Sequence, residues 1–263
     1  MDSQPTGPPP KPPVPRWHHS RTWLDDLAIV TWAVDPEVLA ASLPDGFEPL
    51  TWPRAGTPVA LVSMVAFRDR DFHFRFWPHT RLQCGQINYR AYVRHGGLTG
   101  VWFYGTSLDS RLVAVAQRLW RMPWHHDRID VAAQWAGDRL TRMTVQANGP
   151  WGDADLDLTQ AAGPVGSPPI PDLAMGRDLT DVLTDPVRGW FRRTDGRVGR
   201  YSVAHPPMLM SPATVGRARS AVFERLGLVT PDAAPLDARA TRAIRFEVHT
   251  PPRQVPATSP SAT

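Results

Sequence analysis

Lysine is nearly missing from this 263-residue sequence: of 29 basic residues one, Lys11, is lysine and the remaining 28 are arginine. A lysine that forms imines has to be driven toward neutrality by desolvation or by a neighbouring cation, and Lys11 stands in a solvated, proline-rich leader that offers neither. Covalent amine catalysis is therefore not expected. The only cysteine, Cys84, has no partner in the chain for a disulfide. No N-terminal stretch joins a basic flank to an apolar core as a secretory signal does, so a reduced, cytoplasmic setting is expected. No run approaches the roughly 18 apolar residues of a membrane span, and no membrane association is expected. The arginines are scattered among acidic residues at a net charge of +4. Without a clustered stripe or a recognisable module, nucleic acid is not an expected partner. The G-x-S-x-G, P-loop, dinucleotide and H-E-x-x-H strings are absent, which removes the usual support for hydrolase, nucleotide and zinc chemistry. His18-His19 and His125-His126-Asp127 put neighbouring imidazoles on opposite sides of an extended chain, whereas one metal needs convergent ligands. Neither a cofactor nor a metal is expected.

What the chain does contain is an ordinary globular middle between two proline-rich ends. Seven of the first fifteen residues and four of the last thirteen are proline. Residues 1–15 therefore read as a disordered leader, 16–250 as one folded domain, and 251–263 as a disordered tail. At 42% hydrophobic and 21% charged residues the chain has the means to bury a core, and its eleven tryptophans are expected to fill the interior of a wide barrel.

Leu27 to Val34 reads as a strand, followed by Asp35-Pro36 as the cap and first turn of a helix through Leu43. Val59 to Phe67 reads as a strand with both faces buried: Val59, Leu61, Ser63, Val65 and Phe67 on one side, Ala60, Val62, Met64 and Ala66 on the other. Gln86 to Arg94 alternates apolar Ile87, Tyr89, Ala91 and Val93 with polar Gln86, Asn88, Arg90, Tyr92 and Arg94, and His95-Gly96-Gly97 turns it into a second strand, Thr99 to Thr106. A helix after Ser107 or Asp109 carries Leu112, Val115, Ala116 and Leu119 as a core-facing stripe and stops at Pro123. Arg128 to Trp135 and Arg139 to Asn148 form a hairpin. Gly149 to Pro171 reads as a long loop with a short strand at Ala154 to Leu158. Asp178 to Leu183 and Val187 to Phe191 read as helical around Pro186, and Arg197 to His205 as a strand. Ser211-Pro212 opens a helix with Val215, Val222 and Leu226 inward and Gly227 past its end. Arg242 to His249 closes the chain as a strand. Hairpins with inserted helices predict an antiparallel α+β protein with a curved or barrel-like sheet.

Several strings, in order, carry a resemblance. Asn88-Tyr89-Arg90-Ala91-Tyr92-Val93 followed by Gly100-Val101-Trp102-Phe103-Tyr104 resembles the "N-x-R-x-Y-V … G-V-x-F-F" centre of the YqjF-like family, uncharacterised relatives of acetoacetate decarboxylase. Pro36 to Gly46 is similar to that family's "D-P-x-x-L-x-x-x-L-P-x-G", and Leu119 to Trp124 to its "A-R … L-P-Y" segment. Leu179 to Phe191 stands in the place of its "L-x-x-F-L-T-x-R-Y" helix, and His205-Pro206-Pro207 in that of its "H-x-P-W" strand end. The resemblance implies a mainly antiparallel, cone-shaped, acetoacetate-decarboxylase-like β-barrel with peripheral helices and an internal cavity. It does not imply the decarboxylase's own chemistry, which relies on a Schiff-base lysine. Gln86 stands where the related pattern often has a glutamate, and an amide cannot serve as a base at neutral pH.

Inside such a barrel the row Gln86, Asn88, Arg90 and Tyr92 becomes the candidate substrate site. The planar fork of Arg90 suits bidentate capture of a carboxylate or polarisation of a carbonyl, with Asn88 and Gln86 holding further oxygens. The opposing reading is a solvated face or a structural ion pair. His205 is the candidate proton-transfer residue, against a histidine merely bonded to backbone beside Pro206. Tyr104 and Tyr201 are candidate hydrogen-bond donors into the same cavity, against packing. The expected partner is a small organic acid or carbonyl compound, and self-association is left open. The leading expectation is an enzyme acting on a small keto-acid-like or oxygen-rich metabolite without an imine. The alternative is a non-catalytic module that holds a small molecule in the same cavity, and a weaker third is an interaction protein displaying its proline-rich tails.

Overall fold

Apolar residues on both faces of one strand require a layer on each side, and the chain meets this requirement with a closed barrel and a second sheet against its wall. The computed structural model describes residues 16–110, 113–161, 179–184 and 187–255. In chain order the elements are β1 (Ser20–Val34), α1 (Pro36–Ser42), β2 (Phe47–Pro49), β3 (Thr51–Arg54), β4 (Thr57–Phe74), β5 (Trp77–His95) and β6 (Leu98–Leu108). Then come α2 (Val113–Trp120), β7 (Trp124–His126), β8 (Arg128–Ala136), β9 (Arg139–Asn148), β10 (Ala154–Gln160) and α3 (Leu179–Thr184). The chain continues with β11 (Arg188–Arg192), β12 (Val198–Ala204), β13 (Ser211–Ser220), α4 (Ala221–Arg225) and β14 (Asp237–Gln254). Among the described residues no helix is long and apolar enough to cross a membrane.

Seven strands close the barrel in the order β1-β4-β5-β6-β11-β12-β14 and back to β1. A ring of seven cannot alternate direction all the way round, so one seam must be parallel. That seam is β6–β11, where Val101, Trp102 and Phe103 pair with Gly189, Trp190 and Phe191; the other six are antiparallel. β13 leaves β14 at Ser211 opposite Ala240 and carries the chain into a second sheet, β13-β10-β9-β8. That sheet covers one side of the barrel. Ala28, Val30, Met64, Ile87, Tyr89 and Ala91 from the barrel's outer wall share one core with Val131, Val145, Leu156 and Phe223. A separate core fills the barrel itself, with Leu27, Ile29, Leu61, Phe67, Phe103 and Ile244. Asp26, at a bulge of β1 with φ of 51°, ties the two layers: it pairs with Arg68 of β4 and accepts from Trp135 Nε1 of β8 at 2.7 Å.

Most of the expected elements are present: the Asp35-capped helix, the β5–β6 and β8–β9 hairpins, β10, α3, β12 and the closing strand. Two expected helices are strands. Of the expected helix Val187 to Phe191, Arg188 to Phe191 lies in β11, because Gly189 lets that segment pack flat on Phe103 and pair with β6. Ser211 begins β13 rather than a helix. The helix begins only at Ala221, capped by Ser220, and the seven-residue spacing of Val215 and Val222 is shared between two elements. Gly227, at φ 69°, does follow that helix. In α2 Leu119 is 70% exposed, and the inward residues are Val113 and the half-buried Trp120; Leu112 and the side chains of Val115 and Ala116 lie outside the described residues, as do residues 162–171 of the expected loop. β14 runs to Gln254, past residue 250. The tryptophans do not mainly fill the barrel. Trp32, Trp102 and Trp190 belong to the core outside the barrel, Trp32 against Phe223 and the other two against Phe47, while Trp120 and Trp124 line the cavity.

Candidate functional site

The direction of the polar row on β5 follows from what covers its other face. Ile87, Tyr89, Ala91 and Val93 are fully buried against the second sheet, so alternation turns Gln86, Asn88 and Arg90 into the barrel. There they line a cavity of about 170 Å³ together with Tyr201, His205 and Asp69. Most of the remaining wall is apolar, with Phe103, Val65 and Phe246 among its side chains.

Arg90 is held from one side only. Its Nη2 donates to the Leu183 carbonyl at 2.7 Å and to the Tyr92 hydroxyl at 3.1 Å, and the guanidinium lies 5.4 Å from the centre of the Tyr92 ring. Its Nε is buried with no hydrogen-bond partner, and among the described residues no carboxylate pairs with it. A half-buried guanidinium with its Nε unpaired can add a bond to an anionic group in the cavity. Tyr92 is itself buried, and its hydroxyl joins a chain through Ser63 (3.0 Å) to Thr31 (2.8 Å), so it supports Arg90 from behind.

Asn88 is oriented by two donors. Its Oδ1 accepts from Gln86 Nε2 and from Thr106 Oγ1, both at 2.9 Å, which leaves its amide hydrogens as what it can offer a ligand. Tyr201 stands beside this stretch. Burial pushes its hydroxyl well above the ordinary phenol range, partly opposed by Arg90, so it is a donor at any working pH. His205 stacks on Phe246 at 4.5 Å. Its Nδ1 lies 2.9 Å from the Pro206 carbonyl; a carbonyl can only accept, so Nδ1 carries a proton, and in the neutral ring Nε2 is the nitrogen with the lone pair. Tyr104 is not brought to the cavity. It lies on the opposite face of β6, 2.5 Å from Ser42 Oγ and against Phe223.

A titratable cavity residue, Asp69, was absent from the sequence-derived set. Asp69 is 7% exposed, accepts from Thr22 Oγ1 at 2.7 Å and has no cationic partner among the described residues. Burial pushes its carboxyl up to about 7, with the Thr22 bond pulling the other way. Thr22 pairs across the sheet with Phe246, on which His205 stacks, so His205, Phe246, Thr22 and Asp69 are successive neighbours around the wall. The signal was period two: Asp69 follows Phe67 on the inward face of β4, past the point where the apolar run stops. Opposite Asp69, burial first and the Asp69 charge second push the Cys84 thiol up to about 12, so it stays an unreactive thiol at neutral pH. Cys84 and Arg90 are six residues apart on β5, about 20 Å along the strand, so the polar wall is an elongated strip with Asn88 and Gln86 in its middle.

Residues 21–242 match the DUF2071 family, described as an uncharacterized conserved protein (COG2071). No curated protein matches the chain by sequence. Among solved structures, the enduracididine biosynthesis enzyme MppR complexed with pyruvate is similar at 13% identity and a TM-score of 0.58, over 95% of this chain and 94% of that one. An acetoacetate decarboxylase-like enzyme from Sphingomonas wittichii RW1 is similar at 12% identity and a TM-score of 0.59, over 90% and 92%. Acetoacetate decarboxylase from Legionella pneumophila is similar at 14% and 0.54, over 94% and 93%. At these identities the likeness is one of fold.

Proposed function

The chain belongs to the DUF2071 family and has the acetoacetate-decarboxylase-like fold, and from that premise we propose that its barrel cavity binds a small keto-acid-like carboxylate and acts on it without an imine. The observation that carries this reading is the half-buried Arg90 on the cavity wall, whose buried Nε has no hydrogen-bond partner and which has no carboxylate beside it among the described residues. In the proposed complex Arg90 takes the carboxylate, and the amide hydrogens of Asn88 and the hydroxyl of Tyr201 bind the neighbouring carbonyl oxygen, with Gln86 assisting. Donors from Asn88 and Tyr201 on one oxygen would favour an enolate or alkoxide over the neutral carbonyl, which is where a proton-transfer catalyst needs its charge stabilised. His205 offers Nε2 to move the proton, and Asp69, titrating near neutrality, can take or return one farther along the strip.

The structural neighbour complexed with pyruvate supports the size and charge of the ligand. The sequence supports the absence of an imine, since no lysine follows Lys11. That same absence favours a second reading, a non-catalytic module that holds the acid in the same cavity. Two measurements together separate them. Calorimetric titration with pyruvate, acetoacetate and other three- to six-carbon keto acids is expected to give saturable binding that Arg90→Gln weakens, and proton NMR in D₂O is expected to show exchange or turnover of the bound acid that His205→Gln slows. Binding without exchange selects the module; no binding by any acid of the panel refutes both.

A further inference from the structure

The outer wall of the barrel carries a group of side chains with no part in the cavity. β1 and β14 are antiparallel with Ser20 opposite Val248, so one residue farther out His19 faces His249, and Glu247 shares the outward face of β14 with His249 at a spacing of two. The two imidazoles stack with centroids 4.3 Å apart, and His19 Nδ1 lies 3.2 Å from Glu247 Oε1. One ligand atom from each of the three residues falls within 4.8 Å of the others.

Hydrogen bonding in this group is incomplete in a way that calls for a cation. His249 Nε2 is buried and has no partner. His19 Nδ1 faces the Arg16 backbone N–H at 3.2 Å as well as the carboxylate. Nδ1 has a single lone pair, so a positive ion held between it and Glu247 Oε1 would take the place of the Arg16 bond. The other carboxylate oxygen, Oε2, is approached by Arg21 Nε at 3.9 Å and Arg75 Nη1 at 3.6 Å, which steadies Glu247 with Oε1 toward the imidazole.

We propose that His19, Glu247 and His249 form a three-ligand site for a divalent transition metal of the zinc type. Two imidazole nitrogens and one carboxylate oxygen are the donor set of such ions rather than of magnesium or calcium. An open pocket bordered by His18, His19 and His249 gives access and leaves room for water as the fourth ligand. Metal–ligand bonds near 2 Å put ligand atoms about 3.3 Å apart, a spacing that His19 and Glu247 already have; the stacked His249 ring has to turn out of its stack on His19 to bring its nitrogen from within 4.8 Å to that spacing. Arg16, Arg200 and Arg253 border the same pocket; their charge weakens binding of a dication relative to closed cysteine-rich sites, so micromolar affinity is expected. Thr250 Oγ1 already bonds the His18 carbonyl at 2.7 Å, and the metal adds a second tie between the start of β1 and the end of β14.

The test uses the untagged full-length protein and Zn²⁺ alone. Equilibrium dialysis with elemental analysis is expected to find one equivalent bound in the micromolar range, with a Zn²⁺-dependent rise in melting temperature. His249→Gln, at a half-buried position, is expected to weaken binding about tenfold or more and to abolish the thermal shift, its folding checked by circular dichroism. Glu247→Gln is the second variant should the first not fold. The double substitution His125→Gln/His126→Gln is expected to leave binding unchanged. Absence of saturable binding below millimolar Zn²⁺, wild-type affinity in the folded His249 or Glu247 variant, or loss of binding in the His125/His126 control would each overturn the site.

Discussion

Arg90 and Asp69 are two ways for a barrel interior to hold charge. The guanidinium cannot shed its proton, so it stays charged, takes a carbonyl and a hydroxyl as partial partners, and keeps Nε for a ligand. Replacing it with glutamine removes a charge-assisted pair of bonds, and keto-acid affinity measured by calorimetry is expected to fall roughly 10- to 100-fold. The carboxyl can shed its charge, and it does so by holding its proton up to about pH 7. Between pH 4 and 7 the folded chain therefore keeps a proton on Asp69 that the unfolded chain has lost, so this group's contribution to stability falls as pH rises through that window. Asp69→Asn mimics the neutral form and removes the fall. Thermal melts across that range are expected to show the variant matching wild type near pH 4 and exceeding it at pH 8, by up to about 4 kcal/mol; equal stability at pH 8 would mean the carboxyl ionises freely. Arg90 was legible in the sequence because it sits in a sustained polar alternation. Asp69 was not, because a lone acid after an apolar run looks the same at a strand end as inside a cavity.

Elements whose identity depends on local chemistry were legible, and those that depend on a distant partner were not. Asp35 caps α1 and accepts from the Glu37 N–H at 2.8 Å, and the β5–β6 hairpin turns at Gly96 and Gly97, both at positive φ. β11 and β13 are different. Each contains spacing that suits a helix, and each is held extended by pairing with residues far away in sequence: β11 with β6, β13 with β10 and β14. The β6–β11 seam is closed over glycine. A Cβ on Gly100 would sit 2.7 Å from the Arg188 carbonyl oxygen and 2.5 Å from the Trp190 ring, so the parallel strand could not approach. Gly100→Ala is expected to destabilise the fold by about 2 kcal/mol, read from urea denaturation; an unchanged midpoint would mean that the seam is not a tight closure.

At the scale of the whole molecule, a row of polar side chains faces inward because an extra sheet has taken the outside. Tyr89 and its neighbours are buried between barrel and sheet, so the barrel must accept Arg90 and Asn88 in its interior and cannot pack solid around them. A ligand that fills this space binds only the folded chain. At a concentration 100 times its Kd it is expected to add about 2.7 kcal/mol of stability, or some 5 to 10 °C in melting temperature for a domain of this size, an effect that Arg90→Gln should cut to about half or less at the same concentration in a thermal-shift assay. The sequence by itself determined the strand periodicity, the division of β5 into an apolar and a polar face, the composition of the polar row and the lack of any lysine after Lys11, because these are properties of local order and residue chemistry. Only the tertiary structure decided that seven strands close with one parallel seam, that Asp69 joins the cavity wall while Tyr104 leaves it, and that His19 meets His249. Each of these depends on strand register between segments up to 230 residues apart, and one residue of slip would turn every such side chain to the other face.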